Sequence, residues 1–196
     1  MATTYQSNIY SATTLDCVND IISCIGEPSV TTLDSSNVDV VNALRILDRE
    51  NRKLQMRGWT FNIELNQRLV PDTYSKLISW VPAYITVLEP NKRTNYINRD
   101  GYVYDRVNET NQFTAPIVVN IIRMQELDSI PDCFLQLIVA RSCRLFNNQY
   151  FGASEIDGMW QAQEQEALIR CNEYEMDFGH YNMFTDDAYI QFQQYR

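Results

Sequence analysis

Histidine is almost missing from this chain: among 196 residues there is one, His180. Any Ser-His-Asp triad or histidine-held metal would have to pass through that single imidazole. It has no HxxxH or ExxH neighbour, so a surface or interface role is expected. Glycine is sparse too, at six residues, and neither GxxxxGK[ST] nor GxGxxG occurs to cradle a phosphate. The five cysteines (Cys17, Cys24, Cys133, Cys143, Cys171) make an odd count with no CxxC pair, which fits neither a disulfide framework nor a zinc knuckle. They fall in the expected helices, so buried, reduced thiols are expected. No apolar run approaches a membrane span, and the opening MATTYQSNIY lacks the basic and apolar regions of a secretory leader. The expectation is a chain folded in a reducing cytosol, with no cofactor, no metal and no membrane insertion.

Positive charge is the next shortage. Sixteen Lys and Arg stand against 25 Asp and Glu, a net charge of −9. That argues against wrapping nucleic acid, since affinity for phosphates comes mainly from neutralising them. It is compatible with a surface past which DNA slides without adhering. A hydrophobic content of 45% in a chain of this length is enough for one sizeable core, or a core plus a small lobe.

What is present begins with helical spacing. Leu15, Val18, Ile22 and Ile25 predict a first helix from Leu15 to Ile25, opened by Thr13 and Asp16 and stopped by Gly26 and Pro28. A second should open at Ser36, with Asp39 three residues on, and run to Met56 before Gly58. Val40, Leu44, Leu47 and Leu54 would face inward. Its other face, Arg45, Asp48, Arg49, Glu50, Arg52 and Lys53, reads as solvated, with Asp48 and Arg52 spaced to pair. Ser129 should cap a third helix, with Pro131 in its first turn, Phe134, Leu137, Ile138 and Leu145 inward, and Gly152 as its stop. Ser154 should open a fourth, with Ile156, Met159, Trp160, Ala167, Cys171 and Tyr174 toward one side. Its outer face is acidic: Glu155, Asp157, Glu164, Glu166, Glu173, Glu175 and Asp177 against Arg170 alone.

Between the helix pairs the period changes. Trp59, Phe61, Ile63 and Leu65 alternate with Thr60, Asn62, Glu64 and Asn66, predicting a strand, with Arg68-Leu69-Val70 as its returning partner. Asp72 to Val81 is read as a short helix with Tyr74, Leu77 and Ile78 inward. Tyr96-Ile97-Asn98 and Tyr102-Val103-Tyr104 flank Arg99-Asp100-Gly101, a hairpin signal. Ile117 to Ile122 is expected to be a strand buried on both faces. The fold class expected is α+β, mainly α: a bundle of about four helices, an inserted small antiparallel β lobe and an extended C-terminal arm. The boundaries are 1–58 and 123–178 for the bundle, 59–122 for the lobe and 179–196 for the arm.

The C-terminal stretch stands out. Phe178, Tyr181, Phe184, Tyr189, Phe192 and Tyr195 share it with only three formal charges, Asp186, Asp187 and Arg196. A solvated tail is normally poor in aromatics, and Tyr and Phe with few charges is the mix found where surfaces meet. Either the stretch folds back on its own domain or it docks on another chain. Carboxylates are plentiful enough to imagine a glycosidase pair, but the acidic run lies on an expected exposed face, where acids usually only solvate. The chain is therefore read as no enzyme, with glycan hydrolysis by exposed carboxylates as the alternative.

Several blocks carry a resemblance. Cys17-Val18-Asn19-Asp20-Ile21-Ile22, Ile25-Gly26-Glu27-Pro28, Arg57-Gly58-Trp59-Thr60-Phe61-Asn62, Asn98 to Arg106, Asn120-Ile121-Ile122-Arg123, Phe146 to Ala153 and Glu173-Tyr174-Glu175-Met176-Asp177 occur in order. Together they resemble the tail tubular protein A family, the adaptor or gatekeeper proteins of short-tailed bacteriophages of the T7 type. The resemblance implies a structural virion protein at the head-to-tail junction, assembled in the host cytoplasm. It implies a twelvefold homo-oligomeric ring between the portal protein and the nozzle of tail tubular protein B. It also implies a lengthened DNA channel without sequence-specific DNA binding, and an anchor for tail fibres. In that setting the six aromatics from Phe178 to Tyr195 are expected to meet the portal or a neighbouring subunit. Arg99, Asp100, Tyr102 and Tyr104 are expected to meet the nozzle.

Overall fold

A computed structural model describes residues 14–90 and 96–178 of the chain. The fold is mixed α+β. Its helices are α1 (Thr14–Ser23), α2 (Val38–Gln55), α3 (Asp132–Phe146) and α4 (Ser154–Phe178). Its strands are β1 (Ile63–Leu69), β2 (Tyr84–Leu88), β3 (Tyr96–Arg99), β4 (Tyr102–Asp105) and β5 (Ile117–Arg123). They form one antiparallel sheet in the order β1-β5-β2-β3-β4.

All four helices bury their apolar faces in a single core around Phe134. Its ring meets Trp59 edge-on at 4.8 Å, Phe61 at 4.7 Å and Tyr174 at 5.4 Å, joining α3, α4 and the entry to the sheet. Val40, Leu47 and Leu54 are buried as expected, whereas Leu44 is only half-buried and Ala43 and Ile46 complete the α2 face. The caps differ from expectation. Asn37, not Ser36, caps α2 by accepting from the Asp39 N–H at 3.0 Å, while Ser36 turns back to Asp34. Pro131 stands at the start of α3, and Ser129 ends a short 3-10 turn. Gly152, in the left-handed region at φ 77°, stops the π turn that follows α3.

The expected strand over 59–65 begins only at Ile63, because residues 60–62 form a 3-10 turn. Asn62 is buried and its Oδ1 accepts from the Trp59 N–H at 2.7 Å, so the alternation there reflects a turn rather than a pleat. Residues 68–69 are not a returning strand. They continue β1, whose partner is β5 across a bulge between Glu64 and Gln67. No helix forms over 72–81. The Asp72 carboxylate accepts from the Tyr74 and Ser75 N–H groups and the Ser75 hydroxyl, and Lys76 takes φ 61°, which closes a turn and leaves Tyr74 exposed. Ile78 is buried and Leu77 half-buried, as expected. In β5, residues 119–122 are buried while Val118 is half exposed.

A neutral hydrogen-bonded junction ties helices to sheet. The Gln55 amide donates to Asn51 Oδ1 at 2.7 Å and to the Gln125 carbonyl at 2.9 Å, and accepts from the Gln125 N–H at 2.7 Å. Asn62 donates to the Gln55 carbonyl, and the Trp59 indole N–H to that of Leu54. All these side chains are buried and satisfied, which fixes the angle at which β1 and β5 leave α2 and enter α3.

Candidate interaction surfaces

The β3–β4 hairpin brings three of the four expected nozzle-facing residues onto one face. Arg99 pairs with Tyr102 in register and Ile97 with Tyr104, so Arg99, Tyr102 and Tyr104 share a side, with Asp100 at the tip. The Arg99 guanidinium sits 3.6 Å from the centre of the Tyr104 ring, a cation–π contact across the diagonal of the pair. Asp100 and Gly101 have φ 53° and 80°, the left-handed pair that a two-residue turn needs. The free edge of β4 is covered: the Trp80 N–H donates to the Gly101 carbonyl at 2.8 Å and the Val103 N–H to that of Ile78 at 2.9 Å. Asp105 anchors the next loop. Burial would raise its carboxyl, but hydrogen bonds from the Asn108 side chain and the Asn108 and Val107 N–H groups outweigh burial and hold it below the ordinary carboxylate range. The result is a stiff tip with Tyr102 exposed.

Phe178 closes α4. It is exposed and stacks on Tyr174 at 4.4 Å. Tyr181, Phe184, Tyr189, Phe192, Tyr195 and His180 lie outside the described residues.

The acidic face expected on α4 is partly turned inward. Asp157 and Glu164 bind α3: Arg144 Nε donates to Asp157 at 2.9 Å and its Nη1 to Glu164 at 3.1 Å, while Arg141 Nε reaches Glu164 at 2.9 Å. The Arg144 and Asn148 hydrogen bonds hold the Asp157 carboxyl below its ordinary range. Glu175 accepts from both the N–H and hydroxyl of Thr60, capping the 3-10 turn. Met159, expected inward, is exposed. On α2 the Asp48–Arg52 pair forms as expected, at 3.0 Å, but Glu50 is buried beneath Lys53 and Arg49 rather than solvated.

A groove of about 450 Å³ runs between α1, α3 and α4, bordered by Cys17, Asp20, Val139, Trp160 and Arg170. Asp20 is exposed as a residue, yet burial of its carboxyl in the groove wall, and then Asp16, push it above the ordinary range. Burial, then Asp20 and Asp16, pushes the Cys17 thiol up to about 12, which leaves it protonated and unreactive. All five cysteines are free thiols. Among the described residues, no helix is long and apolar enough to cross a membrane.

Comparison with known proteins gives two findings. The family model described as tail tubular protein matches residues 15–181, from α1 past the end of α4. A protein named tail tubular protein A, from Klebsiella phage KP34, is 26% identical over 118 residues, which is 60% of this chain and 62% of that relative. The chain thus spans somewhat under two thirds of that relative's length.

Proposed function

Because the chain belongs to the tail tubular protein family, we propose that it is a structural virion protein that forms an adaptor ring at the head-to-tail junction. In this reading twelve copies join the portal to the tail tubular protein B nozzle, lengthen the DNA channel and help anchor tail fibres. DNA passes through without being read. Assembly takes place in the host cytoplasm. The observation that carries the reading is the family match across all four helices and all five strands. The net charge of −9 supports it, since a negative conduit repels phosphates.

The division of labour follows the segments. The helices of 1–58 and 123–178 form the body, the lobe of 59–122 presents Arg99, Asp100, Tyr102 and Tyr104 to the nozzle, and the arm of 179–196 extends the Phe178 anchor to the portal or a neighbour. The experiment is assembly of tails with and without the chain. Heads lacking it should fill but carry no nozzle, and the full chain should restore nozzles. Truncation after Gly179 should leave melting nearly unchanged and abolish docking on portal rings. Nozzles on heads that lack the chain would overturn the reading.

The alternative, glycan hydrolysis, has one observation in its favour: Asp20 in the groove is lifted in the direction a general acid needs. Loss of polysaccharide cleavage in Asp20→Asn would support it. No cleavage by the intact chain would end it.

A further inference from the structure

The solvent side of α4 carries a second pattern. Glu155, Met159, Ala162, Glu166, Ile169, Glu173 and Met176 follow one another at strictly alternating steps of four and three, and all seven are exposed. That spacing places them on one stripe, the spacing of a helix seam that expects another helix. It is not the core face, which Ala167 and Cys171 occupy. Met159, Ile169 and Met176 are each more than half exposed, an apolar row with none of the described residues over it. Glu155 and Glu173 make no ion pair or hydrogen bond among the described residues, and Glu166 holds only the exposed Arg170.

A matching stripe runs along α2. Val38, Val41, Arg45, Asp48 and Arg52 are exposed at steps of three and four, ending beside the exposed Met56. Laid side by side in the same direction, the two stripes agree position by position. Val38 meets Met159, Val41 meets Ala162, Arg45 meets Glu166 and Arg52 meets Glu173. Asp48, opposite Ile169, is already neutralised by Arg52. At 18 and 25 residues the helices are about 27 and 37 Å long, so the whole α2 stripe fits along α4.

We propose that the exposed stripe of α4 on one copy of this chain docks on the exposed stripe of α2 on the next copy. This rests on the ring reading and names its subunit interface. Symmetric pairing is disfavoured: run parallel, α4 on α4 sets glutamates against glutamates and α2 on α2 arginines against arginines, and run antiparallel each stripe sets charges against its own apolar row. Only the unlike pairing satisfies charge and apolar rows together. Within a subunit α3 lies between α2 and α4, packing on both. A copy docked through one stripe therefore keeps the other free for the next copy, which is the head-to-tail contact a ring needs.

The test uses the full chain, alone and with portal rings, sized by native mass. Two charge-reversed variants are made: Glu166→Lys with Glu173→Lys, and Arg45→Glu with Arg52→Glu. All four sites are exposed, so circular dichroism and melting should match the wild type. Each variant alone should need roughly tenfold or more protein to assemble, since like charges then face each other at every interface. Mixed in equal amounts, the two should assemble again as an alternating ring, because each restores the other's complement. Wild-type assembly untouched by either reversal overturns the α2–α4 pairing and leaves the ring reading standing. A wild-type chain that stays monomeric in both settings overturns the ring reading and this interface with it. Loss of assembly without rescue on mixing also overturns the pairing.

Discussion

Among the described residues twenty buried hydrophobics, most of them on the helices, gather in one cluster around Phe134, whereas those of the sheet and its flanking loops are divided between two clusters of three, Ile78-Val103-Phe113 and Val87-Val119-Ile121. Hydrophobic stabilisation grows with area removed from water, so the helical part holds itself together and the sheet leans on other means. Those means are visible: a left-handed turn at Asp100-Gly101, a covered edge on β4, carboxylate-anchored loops at Asp72 and Asp105, and an amide junction with α2. One region is stable through volume, the other through local chemistry. Substitutions of the same kind should therefore act differently in each.

The largest effect should come from the helical core. Phe134→Ala should cost about 3–5 kcal/mol in chemical denaturation, since the cavity opens among Trp59, Phe61 and Tyr174. Phe113→Ala, in the smaller cluster, should cost less. Equal losses would break the comparison. Next comes the junction: Gln55→Ala leaves the Gln125 N–H and carbonyl without partners, and should cost about 2–3 kcal/mol. It should also raise amide exchange at Gln125. Protection there equal to wild type would show that water replaces the side chain without loss.

Gly101→Val is expected to cost about 1–2 kcal/mol, because a β-branched residue is forced to positive φ. Nothing lies near the added Cβ, so the whole effect is conformational. The helical circular dichroism should stay intact while hairpin amides lose protection, and melting of the helices with the hairpin would contradict the division drawn above. The smallest effect is a titration. The Asp105 carboxyl is depressed on folding, so its contribution is complete above the unfolded value of about 3.9 and is lost as pH falls through the lower folded value. Carbon chemical shifts of Asp105 should show that lower midpoint, and Val107 and Asn108 should move with it.

The helices were legible because ten to 25 residues of one period leave little choice. So was the hairpin, whose turn chemistry is local. What failed depended on distant partners. The 59–62 alternation looked like a strand because neither the reach of Glu175 to Thr60 nor the burial of Asn62 is written in the spacing. The 72–81 turn looked helical until Asp72 bound Ser75 and Lys76 crossed to positive φ. β2 was missed altogether, a five-residue strand that follows a Pro-interrupted segment. On the surfaces, sequence gave the acids of α4 but not which of them α3 takes. Arg141 and Arg144 draw Asp157 and Glu164 in against α3, and only then does the 4-3 stripe stand out.

The junction at Gln55, Asn51, Asn62 and Gln125 is built from side-chain amides and backbone, with no ionisable group among its bonds. Dissolved ions cannot screen it and protons cannot titrate it. The stripes on α2 and α4 are the reverse, open to solvent and carried by charge. In the ring proposed above, passage from concentrated cytosol to dilute water is a change that the subunit contacts would register and the internal geometry ignores. The angle between hairpin tip and helical body should be the same in a freshly assembled particle as in one stored in any buffer.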